Sequence, residues 1–181
     1  LPLSLGDRFR RGMVLTLFPG GADEMTLLAV HLKSGCPDGP MTAATADCAS
    51  LTEQVPPLEA WIDAQARASK RFAVLGDFNR RLAVERGPAR DAQGRQLNLW
   101  PEIDDRDPPG ADLFRVSEKL PFRKCVAGDP YDAYIDEIVL GRSLAARVAK
   151  NGFVRVTYTD ADARQRRLSD HCPVGVDLSL R

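Results

Sequence analysis

Four short polar groups stand beside apolar, β-prone runs in this chain. His31 lies in Ala29-Val30-His31-Leu32-Lys33-Ser34-Gly35, and Asp77 with Asn79 follows Phe72-Ala73-Val74-Leu75 in the turn Gly76-Asp77-Phe78-Asn79. Asp136 interrupts Tyr134-Ile135-Asp136-Glu137-Ile138-Val139-Leu140, and Asp170 with His171 precedes Cys172-Pro173-Val174. Carboxylates suit hard cations and water, imidazoles donate to or protonate a phosphoryl group, and a carboxamide orients either. Each group alone has an ordinary reading. Gly-Asp and Asn make turns, a lone strand histidine is commonly structural, and acids on an edge strand face water. Asp136 is costly in an apolar strand unless it has a partner, and an imidazole whose tautomer it fixes is the sharper reading. Four such groups at four strand ends require more coincidence than any one of them.

The elements that must position these groups follow from periodicity. The runs 13–18 and 25–33 read as an antiparallel hairpin around Pro19-Gly20-Gly21-Ala22-Asp23. By strand alternation His31 shares a face with Ala29 and Lys33, opposite Val30 and Leu32. A loop to about residue 45 is followed by helical spacing at Leu51, Val55, Leu58, Trp61, Ile62 and Ala66. Pro56 and Pro57 are expected to interrupt it, with a second helical segment restarting near Pro57. The strand ending at Asp77 comes next. Residues 80–130 read as irregular, with Asp104, Asp105 and Asp107 as a solvated turn in preference to a calcium loop. The runs 134–140, 153–158 and 174–180 read as three further strands. Strands grouped around one clear helix argue for an α/β sandwich with largely antiparallel sheets; no Gly-rich phosphate loop is present.

Composition bounds the function. The 181 residues suffice for one domain with a core, and 44% hydrophobic with 28% charged residues is a globular composition. Lysine plus arginine equals aspartate plus glutamate, so there is no overall basic excess of the kind an electrostatic nucleic-acid binder carries. Local clusters (Arg8, Arg10, Arg11; Arg80, Arg81; Arg164, Arg166, Arg167) read first as solvated faces. No apolar run is long enough to span a membrane. The chain opens at Leu1 and reads as a processed product or fragment, so the lack of a targeting segment says little about destination. Cys36 and Cys48 bracket a Pro/Gly loop that a disulfide would staple, worth roughly 3 kcal/mol if unstrained. Cys125 and Cys172 are the other pair. Zinc competes as a reading, without ligand spacing to support it. This favours an exported protein, periplasmic or extracellular, with free thiols in a cytoplasmic protein as the alternative.

The segments VHLKSG, VLGDFN, YIDEIVL and LSDHCPV, in this order, resemble the endonuclease/exonuclease/phosphatase superfamily, the fold family of pancreatic-type deoxyribonuclease, abasic-site endonucleases, neutral sphingomyelinases and inositol-polyphosphate 5-phosphatases. The resemblance runs from about Gly12 to the C-terminus. It implies a single domain over 1–181 with a four-layer αββα sandwich. It further implies that Asp77 positions or deprotonates the attacking water near the metal, and that Asn79 orients the water or a phosphate oxygen. Asp170 is then a metal-side carboxylate, His171 bonds the scissile phosphate, Asp136 pairs with His171, and His31 is a second phosphate-facing histidine. Lys33 and Ser34 are expected to support the phosphate pocket. The implied cofactor is magnesium or manganese, with calcium as a further option, and the implied substrate is a phosphate ester, nucleic acid among the candidates. Phosphoinositides and sphingomyelin are alternative substrates, and a non-catalytic binding module or inactive fragment is the alternative function. The family also places an asparagine and a metal-binding glutamate upstream of the His31 segment. Neither is in this sequence, and Glu24, in a hairpin turn, is no substitute. The domain is therefore expected to lack its N-terminal strands here, with the missing segment associated as a partner.

Overall fold

The computed structural model describes residues 2–3, 9–128, 131–166 and 168–179; Arg8, Arg167 and Leu180 lie outside them. Its large sheet has the order β1-β2-β3-β4-β6-β5, from β1 (Pro2–Leu3), β2 (Gly12–Leu17), β3 (Met25–His31), β4 (Phe72–Asp77), β5 (Leu113–Arg115) and β6 (Asp136–Gly141). A small antiparallel sheet pairs β7 (Val148–Arg155) with β8 (Val174–Leu178). All neighbours in the large sheet are antiparallel except β3 and β4, whose parallel pairing requires a crossover. Helix α1 (Ala46–Arg67) makes it. The chain is a mixed α/β sandwich, as its element pattern implies.

Strand alternation divides the core in two. Leu28, Val30, Phe72, Val74 and Val139 face α1 and meet its buried residues Leu51, Val55, Leu58, Trp61 and Ile62. Met25, Ala73, Ile138 and Leu140 face the other way, against Val148, Val174, Val176 and Leu178 of the small sheet. The short helices α2 (Trp100–Ile103), α3 (Arg142–Ala145) and α4 (Asp160–Arg166) complete the connections.

Several expectations need correction. α1 is continuous through Pro56 and Pro57; it begins at Ala46, where the loop is expected to end, with the Thr45 hydroxyl accepting from the Cys48 amide at 3.1 Å. An interior proline costs about 3 kcal/mol, but Pro56 is exposed while Gln54, Val55 and Leu58 on the opposite side are buried. Burial on both sides of the prolines holds one helix together. The strand expected over 153–158 is β7, which runs instead from Val148 to Arg155 with a register shift between Val148 and Phe153; Asn151 within it is left-handed at φ 59°. Within the irregular 80–130 region, β5 adds an edge strand beside β6. Asp105 and Asp107 are solvated as expected, but Asp104 is half-buried and accepts from the Leu113 amide at 2.9 Å.

Arg80 overturns the solvated reading of its cluster. It is fully buried, paired with Glu85, and donates to the backbone oxygens of Cys36 (2.9 Å) and Gly39 (2.6 Å). Cys36 and Cys48 are joined, with sulfurs 2.03 Å apart; those of Cys125 and Cys172 lie 2.34 Å apart. Among the described residues, no helix is long and apolar enough to cross a membrane.

Candidate active site

Register decides where the polar groups fall. His31 pairs with Asp77 across β3 and β4, and Asp77 pairs with Asp136 across β4 and β6. The three therefore form a row across adjacent strands. They share the parity of Leu27, Leu75 and Ile138, so the row opens on the side of the small sheet. His171 enters from the loop before β8. The site sits at one end of the cleft between the two sheets.

Asp77 is the centre of this row. Its Oδ2 lies 3.4 Å from His31 Nε2 and 4.0 Å from His171 Nε2. Asn79 fixes it from below: the Asn79 amide nitrogen donates to Asp77 Oδ1 at 2.7 Å, and Asn79 Nδ2 donates to Asp77 Oδ2 and to the Leu32 carbonyl, both at 2.9 Å. Asn79 adopts the left-handed conformation at φ 51°, which asparagine tolerates well. Gly76 makes the approach achievable. At φ 129°, a Cβ there would come within 2.1 Å of the Val30 carbonyl oxygen. Phe78 is wholly buried and donates to the Ile135 carbonyl at 2.9 Å, anchoring the turn.

Burial pushes the Asp77 pKa up, the Asn79 amide opposes it, and the Asp136 charge adds to the rise. His171 Nδ1 lies 2.9 Å from both Asp136 oxygens. Burial works against a charged His171, but the Asp136 hydrogen bond and the charges of Asp136, Asp77 and Asp170 outweigh it and raise its pKa. The result is a carboxylate disposed to accept a proton near an imidazole disposed to keep one.

Donor atoms of Asp77, Asp136 and His171 all lie within 4.8 Å of one another. Two adjacent carboxylates, one of them half-desolvated, suit a divalent cation, and a hard ion would take those oxygens and water in preference to the imidazole. Asp170 falls outside this group; it is exposed and lines a small pocket with His171 and Asp136. On the other flank, Arg10 packs against His31, with Nη1 2.6 Å from Nε2. Lys33 is bound to Asp47 (2.5 Å) and to the Ser34 carbonyl (2.8 Å), so its ammonium is held away from the Asp77 row by local partners. Glu24 accepts from Gly20 and Lys70 in its hairpin, remote from the row. Arg155, which carries no motif, lines the same pocket as His171; only the fold could bring it there.

No family model matches the sequence, and no curated protein matches it. Among solved structures, the 3′ phosphatase NExo from Neisseria bound to product DNA hairpin is similar in fold, with a TM-score of 0.63 and 16% sequence identity. The match covers 96% of this chain and 66% of that one, so the chain spans about two thirds of that protein's length. The two share a fold.

Proposed function

We propose that this chain belongs to a divalent-metal-dependent phosphoesterase of the nuclease-like type, acting on a phosphate ester of a nucleic acid. The carrying observation is the convergence of His31, Asp77, Asp136 and His171 at one end of the inter-sheet cleft, with Asp77 within 4.0 Å of both imidazoles. The shared fold with a DNA-bound 3′ phosphatase supports the substrate class. The pairing of Cys36 with Cys48 and the proximity of Cys125 to Cys172 support an oxidising location, periplasmic or extracellular.

Asp77 takes a proton from the attacking water, a role its place between the two imidazoles favours. Asn79 holds the carboxylate in place through both oxygens, which makes it a positioning residue for Asp77. His171, kept in one orientation and favoured as imidazolium by Asp136, donates from Nε2 to a phosphoryl oxygen. His31 contributes a second hydrogen bond from the opposite flank of Asp77. A cation at Asp77 and Asp136, magnesium or manganese before calcium, with Asp170 nearby, would neutralise phosphoryl charge and lower the pKa of a bound water. Positioning and charge neutralisation are the main contributions in phosphoryl transfer.

The test is a hydrolysis panel in Mg²⁺ with 3′-phosphorylated DNA, plasmid DNA, RNA, sphingomyelin and inositol phosphates. Wild type is expected to cleave a nucleic-acid ester, with Asp77→Ala and His171→Ala inactive and folded. Unchanged activity in either variant rejects the assignment. Calorimetric silence on Mg²⁺ addition, with no turnover, favours the non-catalytic binding module.

A further inference from the structure

Arg155 is unusual among the buried and half-buried arginines of the described residues. Arg80, Arg81 and Arg115 each lie within 4.0 Å of a carboxylate, but Arg155 forms no ion pair among the described residues. Its guanidinium instead rests in the corner of an edge-to-face ring pair, 5.2 Å from the centroid of Phe122 and 5.0 Å from that of Tyr134, the two centroids themselves being 5.0 Å apart. Nη2 donates to Cys125 Sγ at 3.3 Å, and the buried Nε has no hydrogen-bond partner. Aromatic faces hold a cation in place without neutralising it. A buried donor left unsatisfied costs free energy that a bound acceptor would recover.

The location gives that cation a use. Arg155 lines one small pocket together with Asp136, Asp170 and His171. Its volume of about 20 Å³ is enough for one water or one projecting oxygen, and too small for a substrate. We propose that Arg155 is a substrate ligand whose planar fork receives an oxygen of the phosphate group lying against His171. This deepens the phosphoesterase reading and rests on it. Arginine suits the task because its donors are pre-oriented and its charge is permanent. The neighbouring acids Asp136 and Asp170 would otherwise repel a phosphate at this end of the cleft, and Arg155 offsets them.

The test measures binding apart from turnover. A fluorescent single-stranded DNA oligonucleotide carrying a 3′-phosphate is titrated by anisotropy in EDTA at several salt concentrations, with wild type, Arg155→Met and Arg155→Lys. Arg155→Met is expected to bind at least about tenfold more weakly and to lose about 0.7 of a unit of salt slope, since one phosphate contact to a single strand is gone. Arg155→Lys should keep the slope but bind about threefold or more weakly, lacking the fork. A purely structural Arg155 would move the melting temperature and leave the slope unchanged. Arg155→Met binding within twofold of wild type overturns the proposal. If Arg155→Met does not fold, wild-type affinity in Arg155→Lys overturns it, and so does the absence of measurable binding by wild type. Inactivity of wild type with Arg155-dependent binding intact would instead sink the hydrolase reading alone.

Discussion

The Nδ1 of His171 lies 2.9 Å from both carboxylate oxygens of Asp136, although 35 residues separate them in sequence. Asp136 begins β6 in the large sheet, and His171 precedes β8 in the small one, so this bond ties the two sheets at the mouth of their cleft. It fixes which imidazole nitrogen carries a proton toward Asp136 and leaves Nε2 facing Asp77.

Asp136→Asn should remove the charge that keeps the His171 pKa raised. The imidazole is then expected to deprotonate at lower pH than in wild type, visible by NMR titration of its ring protons. If His171 must be charged to donate to the phosphate, the alkaline limb of the activity profile moves to lower pH with it. The sign for stability is the same. A raised imidazole pKa stabilises the fold below the ordinary value of 6.5 and the contribution fades as pH rises through the folded value. An unshifted His171 titration in Asp136→Asn would remove this account of the pair.

Gly76→Ala should disable the site without touching a functional group. The new Cβ meets the Val30 carbonyl, which is backbone in the adjacent strand and cannot rotate away. The strain should cost about 1–3 kcal/mol and displace Asp77, the next residue. The expected outcome is a lower midpoint in urea together with reduced activity. Wild-type stability in this variant would show that the β3–β4 approach is looser than 2.1 Å implies.

Glu59 on α1 provides a separate pH test. Burial first, then the charges of Asp105, Asp63 and Glu102, push its pKa from 4.5 up to about 8. When protonated it can donate to Asp63. The unfolded chain ionises near 4.5 while the folded chain holds its proton, so this group stabilises fully below 4.5 and the contribution is lost as pH rises to about 8. Glu59→Gln keeps a donor for Asp63 and carries no charge. Its melting temperature should fall less than that of wild type between pH 5 and 8. Parallel curves over that range would mean Glu59 titrates normally.

Much of the site was legible because each of its groups adjoins a short apolar, β-prone run. His31, Asp77 and Asp136 could be placed at strand ends, and parity put His31 on the face opposite Val30. The parallel register of β3 with β4, which aligns His31 with Asp77, was not legible, since pairing between distant segments leaves no local trace. The same holds for Arg155 and Arg80: an arginine reads as a surface residue until the fold supplies aromatic rings or a buried glutamate beside it. Pro56 and Pro57 misled for the converse reason, a local rule overruled by burial of Gln54, Val55 and Leu58.

Arg80, next to Asn79, shows how the loop chemistry supports the site. Its guanidinium bonds Glu85, whose other contacts are the amides of Leu99 (3.1 Å) and Trp100, and it also holds the Cys36 and Gly39 carbonyls. One buried cation thus fastens the Asn79 turn to the loop closed by Cys36–Cys48 and to the start of α2. Arg80→Met would leave Glu85 buried with its charge uncompensated, and breaking a buried pair in this way costs about 3–5 kcal/mol. Pairing it with Glu85→Gln should recover part of that loss, because the stranded charge is then gone. A chemical denaturation cycle of the two single variants and the double variant measures the coupling. Strictly additive losses would mean that Arg80 acts through its backbone contacts to Cys36 and Gly39, and that the ion pair with Glu85 contributes nothing of its own.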